Sequence, residues 1–163
     1  MIDLNSLYNY FIDVDGVIID SQDRFLIDMK DNTNFDDWMD YLNSIDWYKF
    51  LRECDEIDES FWVLKKLQEL KKIKAIITTI HSPNEMKEKF VYIREKEIYV
   101  PIIFVPPKTK KCDIYIPSKY DCLVDDKIRN CNDWENAGGS SILFDTHLEE
   151  PEKNKIKTLK QLL

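Results

Sequence analysis

Cysteine occurs only at positions 54, 112, 122 and 131, and no two of these are spaced as a zinc site or a redox pair. Cys122 lies inside an apolar run and reads as a small core residue. The set points to a reducing compartment, and the cytoplasm is the expected location. The chain does not open with a basic start and a long apolar stretch, as a secretory leader would. No apolar run reaches the ~20 residues of a membrane-spanning helix. Positive charge is also in deficit, with 23 Lys and Arg against 31 Asp and Glu and a formal net charge of −8. Proteins that track an extended nucleic acid present a basic face, so no such partner is expected. A small nucleotide remains compatible if local cations offset the field. No internal repeat and no low-complexity linker divides the chain.

What is present is a folded globular composition, 44% hydrophobic and 12% aromatic, in 163 residues. That length holds one substantial core with room for a small appended cap. Five short apolar runs stand out, at 8–14, 74–79, 100–105, 121–125 and 140–144. Segments of helical period separate the later ones. The expected fold class is therefore α/β, a Rossmann-like parallel sheet of about five strands with helices on both faces. Pro101 would interrupt a central strand, which puts the third run at a sheet edge.

The helices are read from their apolar stripes and stops. Segment 59–73 aligns Val63, Leu64, Leu67 and Leu70 on one face. Ser82, Pro83 and Glu85 form a helix start with a capping box, and Met86, Phe90 and Ile93 then read as the inward stripe. Segment 127–137 carries Ile128, Cys131 and Trp134 ahead of Gly138-Gly139, a helix stop. From about residue 152, Ile156, Leu159 and Leu163 predict a closing helix. The stretch 17–55 is extra, because a direct crossover needs only one helix. Within it Asn34 can cap a helix that aligns Phe35, Trp38, Met39 and Leu42, and Trp47, Tyr48, Phe50 and Leu51 extend the apolar content. The expected division is a core of residues 1–16 and 56–163 and a helical cap of residues 17–55. The rings of Phe35, Trp38 and Trp47 read first as the cap's own core, with stacking on a substrate base as the sharper alternative.

The chemistry gathers at strand ends. Asp13-Val14-Asp15-Gly16 closes the first run, Thr78 and Thr79 the second, and Asp125-Asp126 the fourth. In a parallel sheet the ligand crevice lies at the carboxyl ends of the strands, so distant positions converge there. Carboxylates brought together repel, and a bound cation holds several of them ionised. Hard oxygen donors suit Mg²⁺, which takes one or two protein carboxylates together with substrate phosphate. The run Lys108-Thr109-Lys110-Lys111 follows the third strand and precedes a short helix. Singly, each feature has a bland reading: a turn, a helix cap, β-propensity, a solvated surface. Joint occurrence in one order at one sheet edge favours phosphate chemistry with a metal.

The run Phe11-Ile12-Asp13-Val14-Asp15-Gly16-Val17 resembles the first motif of the haloacid dehalogenase (HAD) superfamily, most of whose members are phosphohydrolases. Ala75–Thr79 is similar to its second motif, Lys110 or Lys111 to the lysine of its third, and Leu123-Val124-Asp125-Asp126 to its fourth. The four motifs span residues 8–145 in the family's order. The short insert after the first motif and the double Asp of the fourth are most similar to the 5′(3′)-deoxyribonucleotidase group. Ile77-Thr78-Thr79 departs from that group, because its proline follows later, at Pro83.

The resemblance implies a magnesium-dependent phosphomonoesterase that works through an aspartyl-phosphate. Asp13 would be the nucleophile and Asp15 the acid and base. Mg²⁺ would be held by Asp13, the Asp15 carbonyl and Asp126, with Asp125 in support. Thr78, Thr79 and either Lys111 or Lys110 would bind phosphate; Lys111 borders the helix start. The implied partner is a small phosphorylated substrate, a deoxyribonucleoside monophosphate first and a sugar phosphate or other small phosphometabolite second. A phosphate-binding module without turnover is the reading from another class. Receiver domains also combine acidic residues, Thr and Lys, but their acidic pair follows the first strand; here it follows the fourth. His81 reads as a loop donor near the site and Asp20 as a surface turn.

Overall fold

Each apolar run becomes a strand: β1 (Asn9–Ile12), β2 (Ile73–Thr79), β3 (Ile102–Val105), β4 (Asp121–Asp125) and β5 (Ser140–Phe144). A short sixth, β6 (Lys155–Ile156), completes the sheet. The computed structural model describes residues 8–31, 38–149, 152 and 154–163. The helices are α1 (Ser21–Asp31), α2 (Trp38–Ser44), α3 (Trp47–Glu53), α4 (Ser60–Glu69), α5 (Pro83–Glu95), α6 (Lys111–Ile114) and α7 (Ile128–Asn136). All strand pairs are parallel, in the order β3-β2-β1-β4-β5-β6. The chain winds outward from β1 through β2 to β3, then returns to β4 on the other side. β1 and β4 therefore flank the switch point, where an open α/β sheet forms its crevice. β3 is an edge strand, as Pro101 requires, and the Pro101 carbonyl still accepts a bond from Ile76 N–H.

Alternation along the strands covers both faces. Phe11, Ala75, Ile77 and Leu123 pack with Trp134 of α7. Tyr10, Ile12, Ile76 and Val124 face the opposite side with Val63, Leu64 and Leu67 of α4 and Tyr92 and Ile93 of α5. Leu42, Trp47, Phe50 and Leu51 of α2 and α3 belong to that second cluster. The two ends of the 17–55 stretch are tied together. Asp20 N–H donates to the Asp55 carbonyl at 2.9 Å and Ile57 N–H to the Ile18 carbonyl at 3.0 Å. The Ser60 hydroxyl donates to the same Ile18 carbonyl at 2.7 Å. Asp20 caps α1 and Asp46 caps α3, accepting from Asp23 N–H and Lys49 N–H. Among the described residues no helix is long and apolar enough to cross a membrane.

Four expectations from the pattern are corrected. The last segment is not a closing helix: Ile156 enters the sheet as β6, and only a 3-10 turn, Leu159–Leu162, follows. Leu162 rather than Leu163 is the buried terminal leucine. On α5, Ser82 caps as expected, but Glu85 bonds to His81 N–H, one residue upstream of the capping-box partner. The inward stripe of α5 is also rotated. Met86 and Phe90 are 39% and 45% exposed, whereas Glu85, Lys89, Tyr92 and Ile93 are buried. Ile128 and Leu70, expected on inner faces, are largely exposed. Leu70 falls just past the end of α4, and Ile128 is the first residue of α7. Asn34 and Phe35 lie outside the described residues, as does the side chain of Trp38.

Candidate active site

β1 and β4 bring the first carboxylates together by register. Ile12 pairs with Val124, and Asp13 N–H extends the ladder to the Val124 carbonyl at 3.0 Å, so Asp13 comes to rest beside Asp125. Both side chains are buried, at 4% and 0% exposure. Lys111, the first residue of α6, lies between them, its Nζ 2.9 Å from Asp13 Oδ1 and 2.6 Å from Asp125 Oδ2. Asp125 also accepts from Lys127 N–H and, through both oxygens, from the Asn130 amide. This carboxylate is immobilised on all sides.

Asp15 is turned away from that pair. After β1 the backbone makes one tight turn, with Ile18 N–H bonded to the Val14 carbonyl at 2.9 Å and Gly16 at φ +77. The turn swings the second carboxylate towards β2 and α5. Its Oδ1 accepts from the Ser21 hydroxyl at 2.8 Å. Its Oδ2 lies 2.6 Å from Lys89 Nζ and 3.3 Å from Thr78 Oγ1. Lys89 is itself buried and pairs with Glu85 Oε1 at 2.8 Å. Two carboxylates only two residues apart thus occupy different electrostatic environments.

Those environments push the groups in opposite directions. Burial pushes the Asp13 carboxyl up to about 7; Lys111 pulls it down, and the Asp125 and Asp15 carboxylates add to the rise. Burial also works to raise Asp15, yet the Lys89 ammonium and the Ser21 hydroxyl hold it below the usual carboxylate range. For Lys89 burial opposes the charge, and Asp15 and Glu85 more than restore it. Asp126 is raised by burial and by the neighbouring Asp125.

The donor set fits a divalent cation. Oxygens of Asp13, Asp125 and Asp126 lie within 4.8 Å of one another. Asp126 Oδ2 accepts from Gln22 at 2.7 Å, while its Oδ1 is buried and has no hydrogen-bond partner among the described residues. An orphaned carboxylate oxygen in such a place costs energy unless a cation meets it. Gly16 keeps the space clear, because a Cβ there would fall 2.6 Å from Asp126 Oδ2. All the ligand atoms are hard oxygens, the type that Mg²⁺ and Ca²⁺ prefer.

A cavity of about 580 Å³ opens beside this group, lined by Asp13, Asp15, Ser21, Gln22, Phe25, Leu26, Thr79, His81, Glu85, Lys127 and Asn130. Of the residues singled out in the sequence, Asp13, Asp15, Asp125, Asp126, Thr78 and Lys111 meet at the strand ends, and Thr79 lines the cavity wall. Lys110 does not join them; it is half exposed and pairs with Asp133 at 2.8 Å. His81 is on the wall, its Nδ1 3.2 Å from Glu85. Trp47 is buried away from the cavity, and Phe25 of α1 supplies the lining ring, 4.6 Å from the Phe50 ring. The motifs do not single out Lys89, Ser21, Gln22 or Asn130. One signal for Lys89 was available: Glu85 and Lys89 stand at i and i+4 on the face that carries Tyr92 and Ile93.

No family model matches the chain, and no curated protein does. Solved structures match over almost the whole length. A HAD-superfamily hydrolase from Ehrlichia chaffeensis aligns with a TM-score of 0.57 at 13% identity, covering 96% of this chain and 94% of that one. A HAD hydrolase of family IA, variant 3, from Entamoeba histolytica aligns with a TM-score of 0.60 at 11% identity, covering 95% of each. The chain therefore has the α/β fold of HAD-superfamily hydrolases.

Proposed function

We propose that the protein is a magnesium-dependent phosphomonoesterase that works through an aspartyl-phosphate on Asp13, with nucleoside monophosphates, deoxyribonucleotides first, as substrates. The observation that carries this reading is the meeting of Asp13, Asp125 and Asp126 within 4.8 Å at the carboxyl ends of β1 and β4, with Lys111 ion-paired to the first two. Asp13, the Asp15 carbonyl and Asp126 would hold Mg²⁺, with Asp125 in support. When bound, the ion neutralises phosphoryl charge and lets an anionic nucleophile approach an anionic ester.

The residues then divide the work. An Asp13 oxygen bonds to phosphorus as the bond to the leaving oxygen breaks, and Asp15 gives that oxygen its proton. Water next attacks phosphorus, passes a proton back to Asp15, and frees Asp13 and inorganic phosphate. Thr78, Thr79 and Lys111 orient the phosphoryl oxygens and offset their charge. Residues 17–55 serve as the cap, with Phe25 and Leu26 forming an apolar wall over the cavity. That wall, and a volume of about 580 Å³, suit a base and sugar better than a bare phosphometabolite. The four free cysteines support a reducing location such as the cytoplasm.

Phosphate release from a panel of nucleoside and sugar monophosphates, with and without Mg²⁺, tests the reading. The fastest turnover is expected on deoxyribonucleoside monophosphates and only with the metal. Preference for sugar phosphates would overturn the substrate class, and no release from any ester would overturn the enzyme itself.

A further inference from the structure

Glu85 is 2% exposed on the wall of the cavity, and the phosphoryl-transfer steps above do not use it. In the capping arrangement its sequence suggests, the carboxylate would turn back to Ser82 N–H. It turns instead towards Lys89, with Oε1 at 2.8 Å from Nζ, while Oε2 accepts from His81 N–H at 2.7 Å and lies 3.2 Å from His81 Nδ1. An ammonium group has three hydrogens to donate. Four acceptors surround Lys89: Asp15 Oδ2 at 2.6 Å, Glu85 Oε1 at 2.8 Å, the Thr79 carbonyl at 3.1 Å and, more distantly, the Thr78 hydroxyl at 3.3 Å. With Glu85 and Thr79 holding two of the hydrogens, the third is directed to the side of Asp15, its shortest contact, where the Thr78 hydroxyl lies 3.3 Å from the same carboxylate oxygen. The charge of Glu85 and its place one turn before Lys89 therefore set the direction in which the lysine grips the second aspartate.

We infer that Glu85 is a positioning residue of the transfer site: through the Lys89 ammonium it fixes the orientation of the Asp15 carboxyl, and hence the delivery of a proton to the leaving oxygen. This rests on the phosphomonoesterase reading. Glu85→Gln keeps the shape but places an amide N–H₂ against either the lysine or the His81 N–H, so one of the two contacts is lost.

The test compares kcat/KM on two esters, an alkyl phosphate whose leaving oxygen needs a proton (the nucleoside monophosphate of the panel that is turned over fastest) and p-nitrophenyl phosphate, whose leaving group needs little help. Glu85→Gln is expected to lower the alkyl value by about 10- to 100-fold and the aryl value by less than about threefold. Glu85→Asp, which keeps the charge one methylene shorter, should recover part of the difference. The ratio of the two values cancels the fraction of folded enzyme, so a purely structural role for Glu85 would leave it unchanged. Equal losses on both esters, or no loss on either, would overturn the inference while leaving the phosphomonoesterase reading intact. Wild-type protein inert towards both esters would overturn that reading and the inference together.

Discussion

Lys110 and Lys111 are adjacent and chemically identical, yet one is half exposed beside Asp133 and the other is buried between Asp13 and Asp125. Lys111→Met should destabilise the protein by about 3–5 kcal/mol, because two buried carboxylates lose their shared counterion. Lys110→Met should leave the urea midpoint where it is; equal shifts in the two variants would refute the placement. Asp13→Asn should abolish phosphate release while circular dichroism stays native, and substantial residual turnover would rule out the nucleophile. The titration of Asp13 carries a sign. Its folded value of about 7 exceeds its ordinary 3.8, so the folded state binds the extra proton between those limits. Stability without metal therefore falls as pH rises through that window, by a few kcal/mol in order of magnitude. Asp15 and Glu85 act oppositely: held below their usual range, they stabilise above their unfolded values, and that contribution is lost as pH falls through the folded ones. Mg²⁺ should accordingly raise the melting temperature at pH 8 far more than at pH 5. An equal rise at both would contradict the cation assignment.

At the scale of elements, α5 illustrates why pattern and packing diverge. Its start was legible, because Ser82 and Pro83 act locally through backbone groups of the first turn. Its inward face was not, because the buried stripe near the strand ends contains Glu85 and Lys89, which hydropathy assigns to solvent. Burial there is compensated by ion pairs with Asp15, in the turn after β1, and within the helix, invisible to a periodicity count. Ile93→Ala is expected to cost about 2–5 kcal/mol, whereas Met86→Ala and Phe90→Ala should each stay within about 1 kcal/mol. Denaturation midpoints showing the reverse order would restore the register read from the apolar residues alone. The final segment diverged for a related reason. Two residues of edge pairing with β5 captured Ile156, and Thr158 then caps a 3-10 turn that buries Leu159 and Leu162.

At the scale of the whole molecule, the larger of the two buried clusters runs from the sheet through α4 and α5 into α2 and α3. Trp47 sits within it, packed against Phe50 at 5.3 Å between ring centroids. Trp47→Ala should lower stability by about 3–5 kcal/mol, with fluorescence and far-ultraviolet dichroism reporting one coincident transition. A separate early transition for the 17–55 stretch would instead indicate an independently folding unit. Strand positions, their parallel pairing and the placing of carboxylates at the carboxyl ends follow from the sequence itself. Apolar runs broken by helical segments admit few topologies, and a residue that ends a strand is located by the strand. Tertiary structure alone decided which lysine reaches the carboxylates, which way Asp15 faces, and that Glu85 and Lys89 stand beside it. Each of these depends on side-chain direction at a junction, where one residue of helix rotation is about 100°. Each depends also on charges buried against partners more than fifty positions away, or on the opposite side of a turn.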